Sequence, residues 1–464
     1  MPIAAAFMVP HPPMIVPSVG RGSEKQVRET TEAYRKIADE IAELAPETIV
    51  ITSPHALMYA DYFSISSGKR AGGSFADFGA GETAFQEEYD TEFVDELCLL
   101  ADACDFPAGT LGDRRKELDH GTMVPLWFIR RAYSGGKIVR IGLSGLPLSD
   151  HYRLGMMIRE AADKLGRRVV FVASGDLSHK LQEYGPYGYA KEGPEYDARI
   201  MDVCGRAAFG ELFDFDETFC EKAAECGHRS FVIMAGALDG MNVKTEVLSH
   251  QDVTGVGYGI CSFYPDDTGK EDPERHFLAK YMKQEEDKAE RLKERADAYV
   301  SLARASLECF IRTGRVLKLP SDIPDRMMRE RAGAFVSLHE HGRLRGCIGT
   351  IFPTEDCVAE EIIQNAVSAA ARDPRFSPVR EDELQFLEIS VDVLGKPEEI
   401  DSSDELDVKR YGVIVSAGRK RGLLLPDLDG VDSVEQQIDI ARKKGGIRPD
   451  EPVRLQRFEV IRHT

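Results

Sequence analysis

The sequence predicts an α/β domain with a central sheet flanked by helices over residues 1–264, followed by a smaller α+β domain over 296–464. Three observations predict this. Apolar, β-branched runs alternate with helical periodicities through the first part, the pattern of helices laid on a sheet. At Pro265–Arg275 the composition turns polar, charged and proline-bracketed, and a highly charged helical stretch follows, so 265–295 reads as a charged linker and helix. Beyond it, strand and helix patterns mix without an internal repeat. A chain of 464 residues also exceeds what one hydrophobic core usually supports.

The elements follow in order. Ala4–Val9 is an apolar strand that runs into Pro10-His11-Pro12-Pro13. Ser23-Glu24-Lys25-Gln26 matches a capping box. The helix it opens sets Val27, Thr31, Tyr34, Ile37, Ile41 and Leu44 near one face, and Pro46 stops it. A strand from Ile49 ends in Ser53-Pro54-His55. A strand at 137–143, a helix at 150–165 and a strand at 169–173 lead to Ser174-Gly175-Asp176-Leu177-Ser178-His179. Helices at 195–209 and 229–238 and a strand at 256–263 complete the first domain. One long helix is predicted over 276–312, its first half solvated and its second half (Tyr299, Leu302, Ala303, Leu307, Phe310, Ile311) facing a core. Phe335–Leu338 and Leu344–Gly349 read as strands joined by a tight turn at Glu340–Gly342.

Composition narrows the function. A formal charge of −20 repels nucleic acid and anionic membranes as general partners. No apolar run approaches the ~20 residues of a membrane span, and Met1-Pro2-Ile3-Ala4 lacks the basic region of a secretory signal. Nine cysteines without a C-x-x-C pair predict reduced thiols and a cytoplasmic protein. No phosphate-binding loop, dinucleotide fingerprint or nucleophile elbow stands in the right context.

Chemistry concentrates in three histidines. His11, His55 and His179 each stand where an apolar strand ends. In open α/β sheets ligands bind beyond the carboxyl ends of strands, so three imidazoles at three such ends predict one metal-centred site. Non-haem iron(II) oxygenases hold their metal with two imidazoles and a carboxylate, leaving the opposite face open. His11 and His55 are the natural imidazole pair.

Four stretches, Pro10-His11-Pro12-Pro13, Ser53-Pro54-His55, Leu118-Asp119-His120-Gly121-Thr122-Met123-Val124-Pro125-Leu126 and Ser174–His179, together resemble the class III extradiol ring-cleaving dioxygenases of the LigB type and the related Memo-like proteins. The resemblance covers residues 1 to about 264. It implies metal ligation by His11 and His55, an acid/base role for His179, and a substrate-orienting or outer role for His120. Asp176 either orients a neighbouring imidazole or is a turn residue. The implied activity is that of a metal-dependent dioxygenase, most simply an Fe(II) enzyme, acting on a phenolic or catecholic small molecule.

The third ligand departs from the ring-cleaving pattern. Those enzymes place a Glu late in the domain; here the matching stretch is Ala224-Glu225-Cys226-Gly227-His228. The Memo-like branch has Cys-Gly at this place, which favours Cys226 over Glu225. A carboxylate suits iron(II), whereas a thiolate suits softer Zn or Cu. The alternatives are therefore a non-catalytic Memo-like metal-binding or interaction module working with a radical S-adenosylmethionine partner, or a zinc hydrolase on the same ligands.

His339-Glu340-His341-Gly342-Arg343-Leu344-Arg345-Gly346-Cys347-Ile348-Gly349-Thr350, Ala369–Val379, Glu388–Leu394 and Gly422–Pro426 resemble the AMMECR domain family, from about Ala296 to the end. Cys347, near Arg345, reads either as a reactive thiol or, more simply, as a structural one. Asp373 and Arg375 either bind a ligand or pair with each other at a helix end.

Overall fold

A computed structural model describes residues 2–112, 117–266, 270–428 and 430–464. Positions 267–269 of the expected linker lie outside the described residues. The chain divides into two compact units, Met1–Tyr281 and Met282–Thr464. Both predicted fold classes are observed: an α/β unit with a central sheet and a smaller unit built on an antiparallel sheet.

In chain order the first unit holds β1 (Ile3–Val9), α1 (Pro17–Gly20), α2 (Arg28–Leu44), β2 (Thr48–Ser53), β3 (Phe63–Ser64), β4 (Arg70–Phe75), β5 (Ala80–Glu88), α3 (Thr91–Ala103) and β6 (Ala108–Gly109). Then come α4 (His120–Ala132), β7 (Lys137–Gly142), α5 (Leu148–Leu165), β8 (Val169–Ser174), α6 (Glu192–Arg206), α7 (Glu217–Ala223), α8 (His228–Ala237), β9 (Val243–Gln251) and β10 (Tyr258–Pro265). The sheet order is β7-β2-β8-β1-β10-β9. The first four strands are parallel, and β10 and β9 join antiparallel.

Strands buried on both faces read as unbroken apolar runs, and β1, β2 and β8 are such strands. Residues of β1, β2 and β8 share a core with Tyr34, Ile37 and Ile41 of α2 and with Leu126 and Phe128 of α4. On the other face α8 lies against β8 and β1, and α5 packs on α8. Because β2, β8 and β1 are consecutive parallel neighbours, their carboxyl ends stand side by side along one edge, ~5 Å apart. This is what gathers His55, His179 and His11.

Two local expectations are corrected. Ser23–Val27 forms a 3₁₀ turn and α2 begins only at Arg28; the Ser23 hydroxyl donates to the Gly20 carbonyl, so the expected box does not cap the helix. The single helix over 276–312 is two helices, α9 (Phe277–Arg295) and α10 (Ala298–Thr313). Asp297 breaks it, its carboxylate accepting from the amides of Tyr299 and Val300 as an N-cap.

The second unit continues with α11 (Asp325–Arg329), β11 (Ala334–Glu340), β12 (Arg343–Gly349), α12 (Val358–Ala371), β13 (Leu387–Leu394), β14 (Glu398–Ile400), β15 (Tyr411–Ala417), β16 (Lys420–Leu424), α13 (Val434–Lys444) and β17 (Arg454–His463). Its antiparallel sheet runs β12-β11-β13-β17-β15-β16, with β14 on β17. The β11–β12 turn places His341 and Gly342 at φ 51° and 75°, the paired left-handed conformation of a tight hairpin. α10 and α12 cover β11 and β13, and α13 covers β15 and β16.

Candidate metal centre

β1 ends at Val9, and the prolines on either side of His11 fix the backbone that carries it. The His11 amide donates to Asp176 Oδ1 at 2.7 Å, which ties the β1 end to the β8 end. The Ser174 hydroxyl donates its single proton to the Gly121 carbonyl at 2.6 Å. His11 Nδ1, 2.9 Å from the same hydroxyl, must therefore be the protonated nitrogen, and the lone pair lies on Nε2. That lone pair faces His55 Nε2 at 3.0 Å and Cys226 Sγ at 3.6 Å.

His55 follows the end of β2. Its amide donates to Ser53 Oγ at 3.2 Å, and Ser53 donates to Asp119 Oδ1 at 2.5 Å. Asp119 also caps α4, accepting from Thr122 N at 3.0 Å, so one carboxylate positions both His55 and His120, the first residue of α4. The His120 ring lies 3.9 Å from the His55 ring and 5.4 Å from that of His11. Gly121 is required here, because a Cβ would stand 2.3 Å from Ser53 Oγ.

Cys226 reaches the site through a backbone-on-backbone crossing. A Cβ on Gly175 would lie 2.1 Å from the Gly227 Cα, so only glycines let the two loops touch. The contact sets Asp176 N against Cys226 Sγ at 3.3 Å and Cys226 N against the Asp176 carbonyl at 3.4 Å. Two donor groups result among the described residues: His11, His55 and Cys226, and Asp176, His179 and Cys226, each with its donor atoms within 4.8 Å of one another.

Electrostatics favour uncharged forms throughout. Burial, then His55, holds His11 well below the ordinary histidine range. Burial lowers His55 and His179, and burial with the adjoining imidazoles takes His120 down to about 3. Burial, reinforced by Asp176 and Glu225, pushes the Cys226 thiol up. Neutral imidazoles are the ligating form, whereas the thiol gives up its proton to an arriving cation. Donors bound at ~2.1 Å (nitrogen) and ~2.3 Å (sulfur) stand ~3.0–3.6 Å apart for angles of ~90–110° at the ion, which is the spacing of His11 Nε2 from His55 Nε2 and from Cys226 Sγ. The residues fit a divalent metal.

Of the residues singled out from the sequence, His11, His55 and Cys226 converge directly. His120, Asp176 and His179 surround them. Glu225 does not join: its carboxylate accepts from the His228 amide at 2.6 Å at the start of α8, and burial raises it to about 7. An acidic group at a helix N-terminus is already satisfied there. His228 also faces away, its Nε2 3.0 Å from the Leu212 carbonyl. Sequence reasoning missed Ser174, Ser53 and Asp119. All three lie within or beside the quoted motifs, and Asp119 three residues before Thr122 is a capping signal. It also missed the aromatic walls, Phe78 at 5.3 Å from the His120 ring and Tyr187 at 5.1 Å from the His179 ring, for which no local pattern exists.

Residues 5–261 match the family described as the catalytic LigB subunit of aromatic ring-opening dioxygenase. The chain belongs to the LigB family. Residues 300–463 match the AMMECR1 family, so a LigB domain is fused to an AMMECR1 domain. Protein CA_C1420 of Clostridium acetobutylicum is 41% identical over 100% of this chain and 99% of its own length. A Thermotoga maritima protein is 48% identical over 36% of this chain and 96% of its own. The crystal structure of PH0010 from Pyrococcus horikoshii, 32% identical, covers 37% of this chain and 91% of its own, with a TM-score of 0.35. No described helix of the LigB–AMMECR1 chain is long and apolar enough to cross a membrane.

Proposed function

We propose that the LigB domain is a metal-dependent, iron(II) dioxygenase of the extradiol type acting on a phenolic or catecholic small molecule, with the AMMECR1 domain as an accessory. The observation that carries this reading is the convergence of His11 Nε2, His55 Nε2 and Cys226 Sγ beside a buried His179 Nε2 that has no hydrogen-bond partner among the described residues. A metal held by His11, His55 and Cys226 would supply Lewis acidity toward a diol and the electrons for dioxygen chemistry. His55 is exposed while His11 is buried, so the donor set opens toward solvent on the His55 side, where a substrate enters. Phe78 and Tyr187 present ring faces and edges to an aromatic guest. His179, kept neutral by burial, takes the phenolic proton at Nε2, and Asp176 in the same cluster stabilises the imidazolium so formed.

The test is anaerobic purification with elemental analysis, then oxygen-uptake screening of catechols. His179→Ala should keep metal and lose turnover by about 10²–10⁴-fold. Loss of the metal from that variant would make His179 a ligand and sink its acid/base role.

A specific observation favours a second reading. The donor grouped with His11 and His55 is the Cys226 thiol, which suits zinc or copper. In that reading the domain is a Memo-like metal-binding module that works with a radical S-adenosylmethionine partner, or a zinc hydrolase. Native zinc or copper with no oxygen uptake on any catechol would favour it over the dioxygenase.

A further inference from the structure

Antiparallel strands put alternate residues on opposite faces, and the AMMECR1 sheet uses both. Ala334, Val336 and Leu338 of β11 are fully buried in the core with α10 and α12. The intervening residues face the other way. There Ser337 stands opposite Cys347 of β12 on one side and Ser390 of β13 on the other, and Asp392 stands opposite Arg462 of β17. This second face is not an ordinary solvated surface: it lines a cavity of about 960 Å³. That volume is at the upper end of small-molecule sites.

The charges in the cleft do not cancel. Each acidic side chain of the lining already has a cation: Glu388 has Lys288 at 2.6 Å, Asp427 has Lys409 at 2.9 Å, and Asp392 has Arg462 at 2.8 Å. Arg375 is held by Asp373 at 2.6 Å. Arg421 and Lys444 are left over; among the described residues neither has a carboxylate within ion-pair distance, the terminal one of Thr464 included. The backbone segments that carry them are brought together by a close approach. A Cβ on Gly422 would lie 1.8 Å from the Ala441 carbonyl, so the end of α13, which carries Lys444, rests directly on the backbone beside Arg421. Burial lowers the Lys444 ammonium, and Lys444, Arg375 and Cys347 all line the same cavity.

We propose that this cleft is a binding site for a small molecule with an apolar body and a phosphate or carboxylate group. The anionic group sits between Arg421 and Lys444, and the body lies against Phe335, Ile351 and Leu423. The Cys347 thiol, accepting from Ser337 Oγ at 3.2 Å, forms part of the floor. Asp373 positions the neighbouring cation: it accepts from the Cys347 amide at 2.9 Å and holds the Arg375 guanidinium, which in turn donates to the Cys347 carbonyl at 3.1 Å.

Cys347 reports on the cleft. Iodoacetate and iodoacetamide alkylate a thiolate by the same displacement, in which the C–S bond forms, the C–I bond breaks and iodide leaves; they differ in charge. In the full chain, alkylation of Cys347 is followed by peptide mass spectrometry, with N-acetylcysteine amide as the free-thiol reference. Relative to that reference Cys347 should prefer iodoacetate by about tenfold, the lower end of electrostatic focusing in a charged cleft. The Arg421→Gln/Lys444→Gln variant, at two exposed positions, should lose the preference while keeping its circular dichroism. Phenyl phosphate or benzoate should slow alkylation by both reagents, and the compound that protects at lower concentration names the anionic group. Equal preference at Cys347 and the free thiol, or protection by neither compound, would overturn the proposal. If Cys347 is inert to both reagents, calorimetric titration with the two compounds decides. Binding weakened about tenfold or more in the double variant supports the site; absent or equal binding in the two proteins overturns it.

Discussion

At the scale of single residues, the metal centre depends on which donors face inward. His11→Ala or His55→Ala should abolish stoichiometric metal binding and leave the fold intact, since each removes one donor from the end of a buried strand. Cys226→Ser should weaken binding severely, whereas Glu225→Gln should change it little, because Glu225 is engaged by the His228 amide. Elemental analysis of the four variants checks this; a Glu225→Gln loss matching that of Cys226→Ser would contradict the donor set. The AMMECR1 domain offers a pH test. Arg375, with the amides of Cys347 and Arg375 itself, lowers the buried Asp373 carboxyl to about 2. A depressed carboxylate pKa adds stability that is complete above the unfolded value of ~3.9 and fades as pH falls through the folded value. Asp373→Asn should therefore lose about 1–2 kcal/mol at pH 7, a range reduced for the exposed guanidinium, and the deficit should shrink between pH 4 and pH 2. Denaturant unfolding across that range measures it; a deficit constant with pH would assign the loss to packing.

At the scale of elements, the site is made where loops meet. The end of β8 and the loop before α8 touch at Gly175 and Gly227, and that contact alone sets Cys226 beside the strand ends. A methyl group on Gly227 would lie 2.4 Å from the Phe231 ring as well as against Gly175. Gly227→Ala should destabilise by about 1–3 kcal/mol, the usual cost of overpacking. It should also cut metal affinity well beyond what that loss explains, since it moves a donor. Unchanged affinity in the folded variant would show that the crossing does not position Cys226. Much at this scale was legible in the sequence. The strands before His11, His55 and His179 are fully buried apolar runs, and such runs announce themselves. The β4–β5 hairpin and α3 and α4 were not read. β4 holds two glycines and β5 is rich in charge, while Pro125 inside α4 disguises a helix that its Asp119 cap and its packing against α2 and the sheet sustain.

At the scale of the whole molecule, the first unit does not stop where the apolar pattern stops. Asp239 is a buried carboxylate that accepts from the Tyr152 hydroxyl at 2.6 Å, and its further partners come from beyond residue 264: His276 Nδ1 lies 2.8 Å from it and the Phe277 amide donates at 3.1 Å. Tyr281 stacks on Phe213 at 4.3 Å between ring centres. A fragment of residues 1–281 should fold and hold metal, whereas 1–264 should be less stable by about 1–3 kcal/mol, because it leaves the buried Asp239 carboxylate only the Tyr152 hydroxyl. Thermal melts and metal content of the two fragments check this. Equal stability would show that residues 271–281 are dispensable.

The sequence by itself determined the two fold classes, the strand-end positions of His11, His55 and His179, and the membership of both domains. These follow from local patterns: apolar runs, turn residues and short motifs spell themselves out along the chain. Only the tertiary structure shows that Cys226 faces the imidazoles and Glu225 a helix amide. The two are adjacent, so no spacing separates them; Cys226 is turned toward the imidazoles by the contact of Gly227 with Gly175, a residue distant in sequence, and Glu225 is turned away by a helix amide that claims its carboxylate. The same holds for the tautomer of His11, which a hydroxyl 163 residues distant fixes, and for the two cations of the AMMECR1 cleft that meet no carboxylate among the described residues. Charge balance at a site is a sum over neighbours in space, and the order of residues along the chain does not contain it.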